Sequence, residues 1–289
     1  MSIIQSLLNG VLLGGIYGGF AIGLSLLLGV LRIVNLAHSA VLILGALVYW
    51  QLVAGFGLDP LLMILPVVVV AYLFGLLLHR VVAVRLAGQD DSTVMLAFFG
   101  VMVLLESVAI LFWSTDNRTL PLGYLSGVVH LGDLYVPVAR LVAAALATAL
   151  LVVLHLFLTR TLTGSAIRGM SENADVATMV GINVRALTGR VFAASIALAA
   201  FGGVILALTA TFTPQEHMRW LAWSFLVVIL GGLGSALRTL LAGIAVGVFE
   251  ALIGTLIPFQ YTYLALYVVL AIVMLVRSEG LSGAKQRIV

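Results

Sequence analysis

Nine apolar stretches, at 7–30, 37–54, 61–79, 93–113, 140–158, 191–211, 221–235, 239–257 and 261–276, fill most of the chain and leave little polar material to face water. Only 9% of residues are charged against 63% hydrophobic, at a mean hydropathy of +1.25. A soluble domain carries roughly 25% charged residues. The runs approach the ~20 residues that a helix needs to cross a bilayer, and the alternating segments of about 10 residues that mark membrane strands are absent. The expected fold is all-α: one polytopic transmembrane helical bundle over 1–289 with eight or nine crossings. The second and seventh stretches are short, which suits broken or re-entrant spans.

Orientation follows from the basic residues, which collect on the cytoplasmic side of membrane helices. Placing 159–190 in the cytoplasm and alternating outward puts Arg32, Arg80, Arg85, Arg160, Arg168, Arg185, Arg190, Arg238, Arg277, Lys285 and Arg287 inside. Only Arg118, Arg140 and Arg219 then lie outside. The C-terminus is expected in the cytoplasm; the N-terminus is outside for nine crossings and inside for eight. The net charge of +3 is read as topology rather than nucleic-acid binding, because the arginines sit in loops between spans. No secretory leader is expected: no Lys or Arg precedes the first apolar stretch, which is too long for a leader's core.

Two connections stand out. The longest polar segment with helical periodicity lies between Leu158 and Val191, where Ala166, Ile167, Met170, Ala174, Ala177 and Met179 fall three or four apart with charge on the other side. An amphipathic helix there suits either a soluble partner or the lipid headgroups. The external loop, about 114–139, contains Val128–Val136, which reads as two short strands around Gly132-Asp133. It is either a spacer for helix ends or a docking surface.

Chemistry-bearing residues are sparse. The chain has no cysteine, which removes disulfides, thiolate metal sites and cysteine nucleophiles. The one lysine, Lys285, is followed by Gln286, so no phosphate-binding loop is present. No cofactor or metal is expected, and no nucleophile–base pair suggests an enzyme. Glu106 lies deep in an apolar run; it lines a polar pathway or pairs within the bundle. Glu250 follows Gly247 and is placed to cap a broken helix. Asn35 and His38 occupy a polar kink after the first stretch, as ligands or as caps. Gly14/Gly18, Gly15/Gly19, Gly19/Gly23 and Gly243/Gly247 are small-xxx-small pairs that permit close helix contact.

Several motifs in order resemble the membrane permeases of branched-chain amino-acid ABC importers. They are Asn9-Gly10 before a glycine-rich span, Gly29-Val30-Leu31-Arg32-Ile33-Val34-Asn35-Leu36-Ala37-His38, Thr163-Gly164-Ser165-Ala166-Ile167-Arg168, Ala177-x-Met179-x-Gly181-Ile182-Asn183-Val184, Gly202-Gly203, Ile229 to Ser235, and Gly247-Val248-Phe249-Glu250. The resemblance covers nearly the whole chain. It implies a non-catalytic translocation subunit in a bacterial inner membrane, working with a second homologous permease, two cytoplasmic ATPases and an external solute-binding protein. It also implies that the 159–190 segment is a coupling helix seated on an ATPase, with Arg168, Glu172, Asp175, Gly181 and Asn183 as its working residues. Asn35, His38, Glu106 and Glu250 are the candidates for the pathway.

Two departures bear on the solute. Ser39-Ala40 stand where the family usually has Gly-Glu, and Leu237-Arg238-Thr239 follow Gly234-Ser235 where a Gly-Ala step is usual. Related systems carry urea and short amides, so the solute is an amino acid or a similar small polar molecule. The contrasting expectation is an ion-coupled carrier, for which two separated glutamates are thin support.

Overall fold

The computed structural model describes residues 3–132 and 134–256, with scattered positions between 261 and 272. The expected last span falls largely, and the C-terminus expected in the cytoplasm wholly, outside the described residues. Ten helices and one hairpin are labelled here in chain order: α1 (Ile3–Leu26), α2 (His38–Trp50), α3 (Pro60–Val81), α4 (Asp91–Trp113), β1 (Val128–Leu131), β2 (Leu134–Pro137), α5 (Val138–Arg160), α6 (Leu162–Glu172), α7 (Ala174–Met179), α8 (Val184–Thr209), α9 (His217–Gly231) and α10 (Ala236–Leu256). Among the described residues, seven helical runs are long and apolar enough to cross a membrane: those built on α1 to α5, α8 and α10. α9, with 15 residues, is too short to cross alone.

Lipid imposes the outward pattern. On α3 and α4 the exposed side chains between the helix ends are mainly apolar, Leu62, Leu65, Leu73, Leu96, Leu104 and Leu111 among them. α8 is the opposite case, a central helix apolar all round and 89% buried across its membrane window. Asp59 starts α3 by accepting from the amides of Leu61 at 2.9 Å and Leu62 at 3.1 Å. Asp90 starts α4, and the Thr93 hydroxyl and amide hold its carboxyl below the usual range. The expected hairpin is present, with Val129 opposite Val136. Gln5 fastens α1 to it twice, donating to the Tyr135 carbonyl at 2.8 Å and accepting from the Tyr135 amide at 3.0 Å. The start of α1 therefore lies on the hairpin's side of the membrane, the external side in the arginine-based orientation.

The glycine pairs close the molecule. α1 and α10 run antiparallel, with Gly10 against Gly247 and Val248 and Gly14 against Gly243 and Ile244. A Cβ on Gly243 would stand 2.5 Å from the Gly14 carbonyl oxygen and 2.9 Å from the Gly18 amide nitrogen. Both obstacles are backbone and cannot swing aside. Close backbone approach of this kind replaces the hydrophobic drive that lipid removes.

Overpacking costs typically 1–3 kcal/mol, so Gly243→Val is expected to lower the thermal unfolding midpoint in detergent by several degrees. Gly100→Ala on α4, where an added Cβ meets nothing within 4 Å, should leave it unchanged or slightly raised.

Candidate functional site

Two interrupted spans meet near the middle of α1. α1 ends in a π-helical turn, Leu27–Leu31, after which Arg32 takes a left-handed backbone (φ 55°, ψ 28°). The chain then turns back into the bundle without helix, and α2 begins only at His38. His38 is buried, and its Nε2 lies 3.0 Å from the Phe20 carbonyl oxygen. A carbonyl can only accept, so Nε2 carries the proton. From the other face, the segment after α8 descends through Phe212 and Pro214, and α9 begins at His217. Trp220 meets the Phe20 ring edge-on at 5.3 Å, and the Ser224 hydroxyl donates to the same Phe20 carbonyl at 3.3 Å. The N-termini of α2 and α9 thus lie at similar depth, α2 running toward the hairpin side and α9 away from it.

Asn35 shapes the first interruption. It is completely buried, and its Oδ1 accepts from the Ala37 amide at 2.9 Å while its carbonyl accepts from the His38 amide at 3.3 Å. Its Nδ2 has no partner among the described residues. Asn35 and His38 therefore cap and anchor the start of α2, and one amide donor remains to spare in a dry place.

A second polar group surrounds the start of α9. The Tyr17 hydroxyl donates to Glu250 at 2.6 Å, and the Tyr17 ring stacks on Trp223 at 4.7 Å. Arg219 lies over the Trp220 ring at 5.0 Å and 3.8 Å from Glu216. Glu106, on α4, comes within 3.8 Å of His217. Glu250 is thus inside α10 and bound to an aromatic hydroxyl, where the sequence had suggested a helix cap. Arg219 is level with the centre of α1, where the loop count had put it outside. The side chains of Glu216 and Arg219 are 35% and 39% exposed at that depth. Charge at membrane depth does not face acyl chains, so this flank of α9 faces water or another protein. Tyr17, Trp220 and Trp223 escaped the sequence reading because an aromatic residue in an apolar run looks like any other core residue; the signal was Arg219 beside Trp220, a charge flanked by aromatics.

The polar segment forms two helices rather than one. Asn173 takes an extended backbone after α6 and caps α7 by accepting from the Asp175 and Val176 amides at 3.0 and 3.1 Å. Gly181, at φ 88°, closes α7: its amide donates to the Thr178 carbonyl, and the Ile182 amide donates to the Ala177 carbonyl, both at 3.0 Å. Asn183 accepts from the Ala186 amide at 3.0 Å and starts α8. Arg168 turns back to the Leu158 carbonyl and the Ser165 hydroxyl, bracing the end of α5. Ile167, Met170 and Ala177 are buried against Leu26, Leu158 and Leu187, as the periodicity suggests. Ala174 and Met179 are instead exposed, with Glu172, Asp175, Val176 and Val180.

The chain matches the family described as "Branched-chain amino acid transport system / permease component" over residues 6–276. It is similar to the high-affinity branched-chain amino acid transport system permease protein BraD of Pseudomonas aeruginosa, at 25% identity over 293 residues that cover 97% of this chain and 95% of BraD. It is similar to the corresponding protein LivH of Escherichia coli K12, at 24% identity over 294 residues with the same coverage. A match to LivM of the same organism is 30% identical over 153 residues, 51% of this chain and 36% of LivM. No solved structure matches the chain.

The absence of cysteine makes accessibility simple to read. Single Arg219→Cys and Gln215→Cys variants in membranes should react with an impermeant maleimide. Leu65→Cys and Leu104→Cys, on the apolar outer faces, should stay unlabelled. The reverse pattern would place the α9 flank in lipid.

Proposed function

This chain belongs to the permease component family of branched-chain amino acid transport systems, and from that membership we propose that it is a translocation subunit of an ATP-driven importer for branched-chain or other amino acids. It is a multi-pass membrane protein built from apolar helices. In this reading it pairs with a second, homologous permease subunit. Two cytoplasmic ATPases supply the energy, and an external binding protein hands over the solute. The membrane is the bacterial inner membrane, and the C-terminus is cytoplasmic. The chain holds the path and hydrolyses nothing.

The observation that carries the energy-coupling part is the exposed tip of the α6–α7 segment. One face of that segment is buried against α1, α5 and α8. On the free side Met179 is 84% exposed, Val180 72% and Val176 53%, beside the charged Glu172 and Asp175. An apolar knob ringed by charge, held at a fixed angle by the Gly181 turn, is the anatomy of a protein interface. Arg168 and Asn183 support it from behind by fixing the ends of α5 and α8.

A push on this knob has a route inward. α8 follows it directly after Asn183 and runs buried through the bundle, touching Gly23 of α1 through Ser195 and Ala199 and α2 through Gly203. A small displacement of α8 therefore bears on α1 and on the start of α2 at the level of Phe20. Interfaces between packed helices convert such shifts into discrete rearrangements. The Asn35–His38 turn and the Tyr17–Glu250, Glu106–His217 and Arg219–Glu216 contacts are the polar groups beside the path that would exchange partners as it opens.

In proteoliposomes holding all subunits, uptake should require internal ATP and external binding protein. Uptake driven by a proton gradient without ATP would overturn the assignment. Gly181→Val forces a β-branched residue into a left-handed backbone, and Met179→Asp breaks the knob; each is expected to lower uptake about tenfold or more, the usual effect of losing an interface anchor. The ATPases should still co-purify but hydrolyse ATP without transport. Wild-type uptake in both variants would remove the docking assignment.

A further inference from the structure

A cavity of about 650 Å³ opens on the cytoplasmic side, behind the coupling segment. Three separate parts of the chain enclose it: the turn after α1, the α3–α4 connection and the first turns of α8. Arg32 enters from the first, Gln89 and Asp91 from the second, and Arg185 from the third. Val94 and Phe98 of α4 form an apolar wall. None of the Glu106, Glu250 or Asn35 groups lines it.

The charged groups here are not engaged with one another. Arg32, Arg185 and Asp91 make no side-chain hydrogen bond or ion pair among the described residues. Two guanidinium groups on different elements share one opening with one carboxylate, one amide, the His79 imidazole and the Thr188 hydroxyl. The excess is positive, and guanidinium forks suit a carboxylate. Asp91 offers a place for an ammonium group, and the Val94–Phe98 wall a place for a hydrocarbon chain. The volume lies in the range of small-molecule sites.

We propose that this cavity is a cytoplasmic binding site for an aliphatic amino acid, through which imported product slows further import. The carboxylate bridges Arg32 and Arg185, the ammonium group meets Asp91, and the side chain lies on Val94 and Phe98. The identity of the ligand rests on the amino-acid importer reading above; the site does not. A bridging ligand ties the turn after α1 to the start of α8, the helix that the coupling segment must move. Binding that favours one arrangement of these parts shifts the equilibrium toward it by the ligand's differential affinity. Accumulated product would thereby hold the resting arrangement against the push from the ATPases.

The experiment uses the complete transporter in proteoliposomes preloaded with L-leucine at rising millimolar concentrations, with ATP inside and binding protein outside. Initial uptake should fall as internal leucine rises. R32Q and R185Q should take up solute normally into leucine-free vesicles yet need about tenfold more internal leucine for half inhibition, as loss of a charge-assisted contact implies. D91N should weaken the effect of leucine but not that of 4-methylpentanoate, which has no ammonium group. A second measurement is independent of transport: radiolabelled leucine binding to inside-out vesicles without ATP or binding protein, expected for the native complex and lost in R185Q.

If ATP drives uptake but internal leucine neither slows it nor binds, the site is overturned and the importer reading stands. If leucine binds and R185Q abolishes binding while ATP drives no uptake, the site stands and the importer reading fails. Inhibition that tracks the anionic lipid content of the vesicles and ignores leucine would give the cavity to a headgroup phosphate and overturn the proposal. Should R32Q fail to assemble, R185Q and the analogue series report on the same cavity.

Discussion

In hydrocarbon a backbone amide without a partner has no water to turn to, and this governs the architecture. Continuous helices satisfy it for α3, α4, α5, α8 and α10. The exceptions are the two places where helix stops within the bundle: before His38, where Asn35 and Ala37 are buried, and before His217, where Gln215 and Met218 remain exposed. Asn35 supplies the Ala37 amide with an acceptor, and His38 finds the Phe20 carbonyl. Irregular backbone is tolerated at membrane depth where other segments of the chain surround it or where it lines a watery space, and both interruptions lie beside Phe20.

The same constraint sorts the charges. Apolar side chains cover the outer faces of α3 and α4. Glu106 faces His217, Glu250 faces Tyr17, and Glu216 faces Arg219. Each intramembrane carboxylate thus has a nearby donor or cation, and all three partners come from α1 or α9. α9 is short because its beginning belongs to this polar group instead of to the membrane surface.

Much of the fold was legible in the sequence because lipid makes local signals strong. The apolar runs, the hairpin at Val128–Val136, the glycine pairs and the helix stop at Gly181 each depend on neighbours close in sequence or on a repeating spacing. What escaped depends on distant contacts. The break at Asn173 was hidden because apolar periodicity continues across it, and only the capping geometry shows that α6 and α7 are separate. Glu250 looked like a cap because Gly247 precedes it, whereas Gly247 is there to let α10 approach α1. Arg219 was counted in an external loop because the shortness of the seventh stretch, which already suited a broken span, does not say how deep the helix starts. Arg32 and Arg185, far apart in the chain, read only as markers of the inner side until the fold brought them to one cavity.

The antiparallel seam of α1 and α10 has a consequence for how the protein is made. Gly10 and Gly14 leave the ribosome well over two hundred residues before Gly243 and Gly247 do. At typical elongation rates of about 5–20 residues per second, the interval is on the order of tens of seconds. Throughout it the groove at Gly10 and Gly14 has no mate, although lateral sorting into the bilayer has already begun. Newly inserted α1 must therefore be shielded from unrelated small-residue helices, by the insertion machinery or by the nascent chain's own α5 and α8, until its true counterpart arrives.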